Sequence, residues 1–158
     1  MAIQPMRACF KHDGSTYRKM LDLLEEKYTD FEIQSHGKII KCHKIILYIT
    51  CDYFANMIDS CLKESTQNKV EMDTVDPDVI EDIVYYLYGE TVDFFWENIR
   101  AYIDTSELLQ LTELKNMLES YTLEHITVQS CIRWSKFAER YLINISRYLI
   151  KLPKIHEV

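Results

Sequence analysis

Between Tyr28 and Phe54 the spacing of apolar positions changes twice. Phe31 and Ile33 alternate with polar neighbours, the period-2 pattern of a strand with one buried face. Gln34-Ser35-His36-Gly37 is polar, and Gly37 can take the positive φ that a hairpin loop asks for. Ile39, Ile40 and Cys42 rebuild an apolar strand, which this pattern carries on into Ile45, Ile46 and Leu47. Tyr53-Phe54 and Met57-Ile58 then stand at helical i, i+3, i+4 spacing. The segment reads strand, turn, strand, helix.

Similar patterning fills the rest of the chain. Residues 1–14, with Pro5 and Gly14, predict a loose arm or a short strand. Ser15 can cap a helix over Thr16–Lys27, whose Tyr17, Met20, Leu21 and Leu24 share one face opposite Arg18, Asp22, Glu25 and Glu26. Lys69-Val70-Glu71-Met72 alternates as a short strand. Asp76 is a candidate N-cap, Pro77 suits a first helical turn, and Val79, Ile80, Ile83, Val84, Leu87 and Tyr88 form a buried stripe that Gly89 can end. The aromatic run Phe94-Phe95-Trp96 is expected in the core, the alternative being part of a partner face, and stands ahead of helical spacing from Ile103 to Met117. Leu118, Tyr121 and Leu123 close this domain near Ile126. Beyond it Cys131, Trp134, Phe137, Ala138, Tyr141, Leu142 and Ile145 make a further apolar helical face.

Composition narrows the function classes. The chain has 158 residues, 47% hydrophobic and 27% charged, which suits a globular domain with a core of its own. A net charge of -7 argues against non-specific nucleic-acid binding, which needs a basic surface to displace counterions from phosphates. With no charged-then-apolar leader and no bilayer-length apolar run, the expectation is a soluble cytoplasmic protein, with the nucleus also open to it. Cys9, Cys42, Cys51, Cys61 and Cys131 form no C-x-x-C pair, and an odd, scattered set fits reduced thiols. Cys42 and His43 are strand neighbours pointing to opposite faces, so they cannot readily share a metal ion; His43 reads as a hydrogen-bonded structural residue. Phosphate-cradle, nucleophile-elbow and zinc-protease motifs are missing. No catalytic residue, cofactor or metal is expected.

Tyr28-Thr29-Asp30, Gly37, Cys42-His43-Lys44 with Leu47, and Asp52-Tyr53-Phe54 resemble the core signature of the BTB/POZ domain. Two later stretches extend the resemblance: the segment from Asp76 to Gly89, with Ile80 where an aromatic is usual and no residue between Tyr88 and Gly89, and Leu108-Leu109-Gln110-Leu111. It implies an α+β fold, a small sheet covered by helices, over residues 15–126 after an arm at 1–14. Residues 127–158, with Cys131 to Tyr141, resemble the opening helices of the BACK region of BTB-Kelch proteins, especially the Kelch-like proteins of poxviruses.

The family resemblance also implies partners. BTB adaptors of cullin-3 ubiquitin ligases carry a hydrophobic-x-Glu motif after the core helix, and Leu62-Lys63-Glu64 matches it in place and type. On that reading Ile58, Leu62, Glu64 and Tyr88 contact the N-terminal domain of cullin-3, with Trp134 and Tyr141 in an adjoining groove. Tyr17, Met20, Leu21 and Leu24 hold a homodimer; the plainer alternative packs that helix on its own domain. Asp30 and Lys44 are expected as a buried or half-buried ion pair that fixes the fold. In transcriptional BTB proteins the same positions line a groove for co-repressor peptides, which is the rival function. No Kelch, MATH or zinc-finger segment is present, so a target-recruiting module is expected to be absent or on another chain. The dimer then either delivers a target or occupies cullin-3 as a viral-type decoy of the host.

Overall fold

A computed structural model describes residues 4–9, 28–60 and 67–125. The chain divides into two units, 1–122 and 123–158, and the described elements lie in the first, apart from the end of the last helix. These elements are β1 (Met6–Ala8), β2 (Phe31–Ser35), β3 (Lys38–Cys42), α1 (Lys44–Thr50), α2 (Asp52–Asp59), β4 (Lys69–Glu71), α3 (Pro77–Leu87), β5 (Val92–Phe94), α4 (Ile99–Leu108) and α5 (Thr112–His125), with a 3-10 turn at Trp96–Asn98. The mixture is α+β.

The β2–β3 hairpin forms as its pattern predicts. Phe31 pairs with Cys42, Ile33 with Ile40 and Ser35 with Lys38, an antiparallel ladder closed by His36 and Gly37. Both loop residues have positive φ, 46° and 84°, the pair of left-handed conformations whose twist suits a two-residue hairpin. A side chain at Gly37 would meet nothing within 4 Å, so glycine serves the dihedral there and not the space. Phe31, Ile33, Ile40 and Cys42 all face the core. β4 adds to the other edge of β2 in parallel, giving the order β3-β2-β4. β1 is the short strand allowed by the N-terminal arm, and it pairs antiparallel with β5 in a separate two-stranded sheet.

The apolar run after β3 departs from expectation. The strand stops at Cys42, and Ile45-Ile46-Leu47 belongs to α1, with Ile46, Leu47 and Thr50 inward. A run of three apolar residues fits a buried strand and a helix equally well, and periodicity alone does not separate them. What decides it lies far off in sequence. The Asp30 carboxylate accepts the Lys44 backbone N–H at 2.7 Å, satisfying a donor that the first helical turn leaves free.

α3 has both ends specified locally. The Asp76 carboxylate accepts from the N–H groups of Asp78 and Val79 at 2.9 and 3.3 Å. At the far end Gly89 has φ 89°, and Gly89 and Glu90 donate back to the carbonyls of Tyr86 and Tyr85, the paired bonds of a Schellman ending. The helix buries Val79, Ile80, Ile83, Val84, Tyr86 and Leu87. Phe94 sits edge-on to Tyr102 at 4.9 Å and to Tyr86 at 6.1 Å, binding β5 to α3 and α4. Of the aromatic run only Phe94 is a core residue. β5 alternates, which turns Phe95 outward at 51% exposure, and Trp96 is half-buried. Gln110, at φ 60°, turns the chain between α4 and α5 while Leu109 and Leu111 pack inward.

Because Asp76 holds two main-chain donors at the start of α3, Asp76→Ala is expected to lower the unfolding free energy by about 1 kcal/mol in urea titration, with the far-ultraviolet spectrum of the folded state unchanged.

Candidate functional site

Three elements meet where β3 passes into α1. His43 is the residue between them, and it is 6% exposed. The Tyr88 hydroxyl, one residue past α3, lies 2.7 Å from the His43 backbone nitrogen and 2.7 Å from its Nδ1. It accepts the main-chain N–H. Its own proton is then available to Nδ1, which places the ring proton on Nε2 by assignment from the network. Burial lifts the Tyr88 phenol well above its ordinary range, against the lowering effect of the His43 N–H. The phenol therefore stays a neutral donor. This is the hydrogen-bonded structural histidine expected from sequence. Tyr88 itself is 1% exposed, so it does not present a partner-contacting face; its ring and hydroxyl are fully used inside the domain.

The expected buried or half-buried Asp30–Lys44 ion pair is also replaced by something different. Asp30 is exposed and its carboxylate meets the Lys44 backbone N–H, while the Lys44 Nζ donates to Asn68 Oδ1 at 3.1 Å. The carboxylate therefore caps a helix, and the lysine reaches toward the residue just before β4.

The outward side of α1 is the feature that sequence reading missed. Ile45, Tyr48 and Ile49, at i, i+3 and i+4, are 61%, 39% and 59% exposed. The spacing was visible, but carrying the strand on into Ile45, Ile46 and Leu47 hid the shared face. The Tyr48 hydroxyl donates to Asp59 Oδ2 at 3.2 Å, and that carboxylate raises the phenol's pKa. The bond ties the end of α2 to this face. Within α2, Phe54 and Met57 are buried and Ile58 is half-buried. Leu62 and Glu64 lie outside the described residues, as do Tyr17, Met20, Leu21, Leu24, Trp134 and Tyr141. Of the expected partner contacts among the described residues, Ile58 is half-buried and Tyr88 is buried.

Nothing in this arrangement is a poised nucleophile. Cys42 and Cys51 are buried, and desolvation pushes the Cys42 thiol up to about 12 and the Cys51 thiol above its usual range. Cys51 Sγ instead donates to the Leu109 carbonyl at 3.3 Å. Among the described residues no three His, Cys, Asp or Glu side chains gather as metal ligands, and no helix is long and apolar enough to cross a membrane.

Residues 20–126 match the family described as BTB/POZ domain. Human Kelch-like protein 23 is 28% identical over 117 residues, covering 73% of this chain and 21% of that protein. Kelch repeat and BTB domain-containing protein 8 of Xenopus tropicalis is 28% identical over 142 residues, covering 89% of this chain and 23% of that protein. The chain thus spans about a fifth of the length of the curated relatives it matches. Among solved structures, the BTB (Tramtrack and Bric a brac) domain of human Gigaxonin superposes with a TM-score of 0.60 at 20% identity, over 75% of this chain and 98% of that one. The fold is the same.

Removing the Tyr88 hydroxyl leaves a buried N–H and a buried ring nitrogen without their partner. Tyr88→Phe is therefore expected to cost about 1–3 kcal/mol of stability by chemical denaturation. A loss smaller than that of the exposed control Tyr85→Phe would show that the junction does not depend on this hydroxyl.

Proposed function

Because the chain belongs to the BTB/POZ domain family, we propose that it is a homodimeric interaction adaptor that binds the N-terminal domain of cullin-3 in a ubiquitin ligase. A protein-interaction role is what the family and the Kelch-like relatives support. The observation that carries the finer reading is the paired surface of α1 and α2. A helix with Ile45, Tyr48 and Ile49 aligned toward water is under-buried for an isolated domain. A second copy, meeting it through Tyr17, Met20, Leu21 and Leu24, covers that face. The Tyr48–Asp59 bond holds the end of α2 against the same face, and from there the chain enters Leu62-Lys63-Glu64.

On this reading Leu62 is the apolar anchor and Glu64 the rim carboxylate, with Ile58 beside them. Trp134 and Tyr141 complete the adjoining groove. Tyr88 is not part of this contact, since it is a core residue. The dimer then either brings a target to the ligase or holds cullin-3 without one, as a viral-type decoy does.

Calorimetric titration with the cullin-3 N-terminal domain, run beside light scattering, tests the assignment. Wild type is expected to bind in the nanomolar to low micromolar range as a dimer. Leu62→Asp combined with Glu64→Ala is expected to abolish binding while the folded spectrum is retained; undiminished affinity in that variant removes Leu62 and Glu64 from the contact. Ile45→Asp with Ile49→Asp is expected to halve the mass by light scattering. An unchanged dimer mass would place the self-association surface elsewhere.

A further inference from the structure

On the side of the domain formed by α3 and β5 there is an open groove of about 480 Å³. Its lining is mostly apolar, with Val92 on the floor and the rings of Tyr85 and Phe95, 40% and 51% exposed, along its sides. The carboxylates of Asp82, Glu90 and Asp93 stand among them. They are neutralised unequally. Asp93 is held by Arg7 in a two-point pair at 2.7 and 3.0 Å, and that guanidinium keeps its carboxyl below the usual range. Lys38, whose charge also reaches Asp82, is committed to Asp78 and Glu81 at 2.8 Å each. Asp82 is left with a single neutral donor, the Tyr102 hydroxyl on Oδ2 at 2.5 Å. Its partial burial raises its pKa in spite of that hydrogen bond. The Glu90 side chain has neither an ion-pair nor a hydrogen-bond partner among the described residues.

We propose that this groove docks an arginine side chain carried by a segment of a partner protein. Three features of the groove select that chemistry. Two carboxylates that no ion pair engages among the described residues favour a cationic guest. The exposed ring of Phe95 favours a planar, delocalised cation that can stack on it, which a guanidinium is and an ammonium is not. The fixed donors of arginine can also meet a carboxylate at two points, whereas an aliphatic guest would leave the charges of Asp82 and Glu90 desolvated. The apolar floor accepts the methylene stem. The groove shares no residue with the α1–α2 surface, so this inference stands or falls apart from the cullin-3 reading.

The test is a two-dimensional amide NMR titration of the full chain with the capped pentapeptide Gly-Ala-Arg-Ala-Gly, beside its lysine and citrulline counterparts. Saturable shifts are expected in the amides from Glu90 to Phe95. The citrulline peptide, which keeps the shape and loses the charge, is expected to bind about tenfold more weakly or less. Asp82→Asn with Glu90→Gln is expected to remove the response while the rest of the spectrum is kept, because an amide at 82 can still accept the Tyr102 hydroxyl. Phe95→Ala is expected to weaken it without touching any charge. Absence of saturable shifts, equal binding of the citrulline peptide, or an intact response in the double variant overturns the proposal. Equal binding of the lysine peptide overturns the guanidinium assignment. Amide shifts at Arg133, Arg140 or Arg147 caused by the double substitution alone would show that the chain's own arginines occupy the groove, and would overturn a partner.

Discussion

One buried hydroxyl fixes the relation between the hairpin, the first helix and the long helix behind them. Tyr88 is among the largest fully buried side chains, and its oxygen serves the main chain and the side chain of a single residue, His43. Burying a polar group without a partner costs free energy of the same order as a large part of a domain's net stability. The group is therefore worth burying only if α3 delivers it to one place. Asp76 fixes where that helix begins, and Gly89 fixes where it ends, immediately beyond Tyr88. Asp30 meanwhile reaches across from the start of β2 to the next N–H along, that of Lys44. Two consecutive main-chain donors are thus satisfied by residues 45 and 14 positions away. The turn into α1 is set by the tertiary structure and not by the residues in it.

That division explains which parts of the fold were legible in the sequence. The hairpin was, because its signals are local: alternation, a polar loop and a glycine at a position that takes positive φ. The start and stop of α3 were, because cap chemistry acts within a few residues. The start of α1 was not, since neither Asp30 nor Tyr88 is near it in sequence, and Ile45-Ile46-Leu47 carries no period of its own. The helical stripe had already turned Tyr88 inward, as the structure has it, and only the partner role implied by the family resemblance set it at a surface. Phe95 was misjudged for a simpler reason, namely that the alternation of β5 turns it outward, while Trp96 already belongs to the 3-10 turn that follows the strand.

The candidate surface follows the same logic from the other side. Once Ile46, Leu47 and Thr50 are committed inward, helical geometry forces Ile45, Tyr48 and Ile49 outward as a set. The apolar face of α1 is a consequence of where its start is pinned. The groove beside β5 has an analogous origin. Arg7 and Lys38 are already engaged, so the charge deficit of the surrounding acidic surface concentrates on Asp82 and Glu90. The interaction chemistry of this domain is therefore what remains after its own fold has used the groups it needs.

The pairing of β1 with β5 has a consequence for how such a chain is made. Arg7 and Asp93 are separated by 86 positions, and the three rungs of their ladder tie an early strand to a late one. A ribosome releases Met6–Ala8 before Val92–Phe94 exists, so β1 has no complementary edge to join until β5 has been made. Closing so long a loop is entropically slow compared with forming the neighbouring hairpin. Order of synthesis and order of pairing therefore run in opposite directions for β1, which must wait for the later strand to complete its ladder.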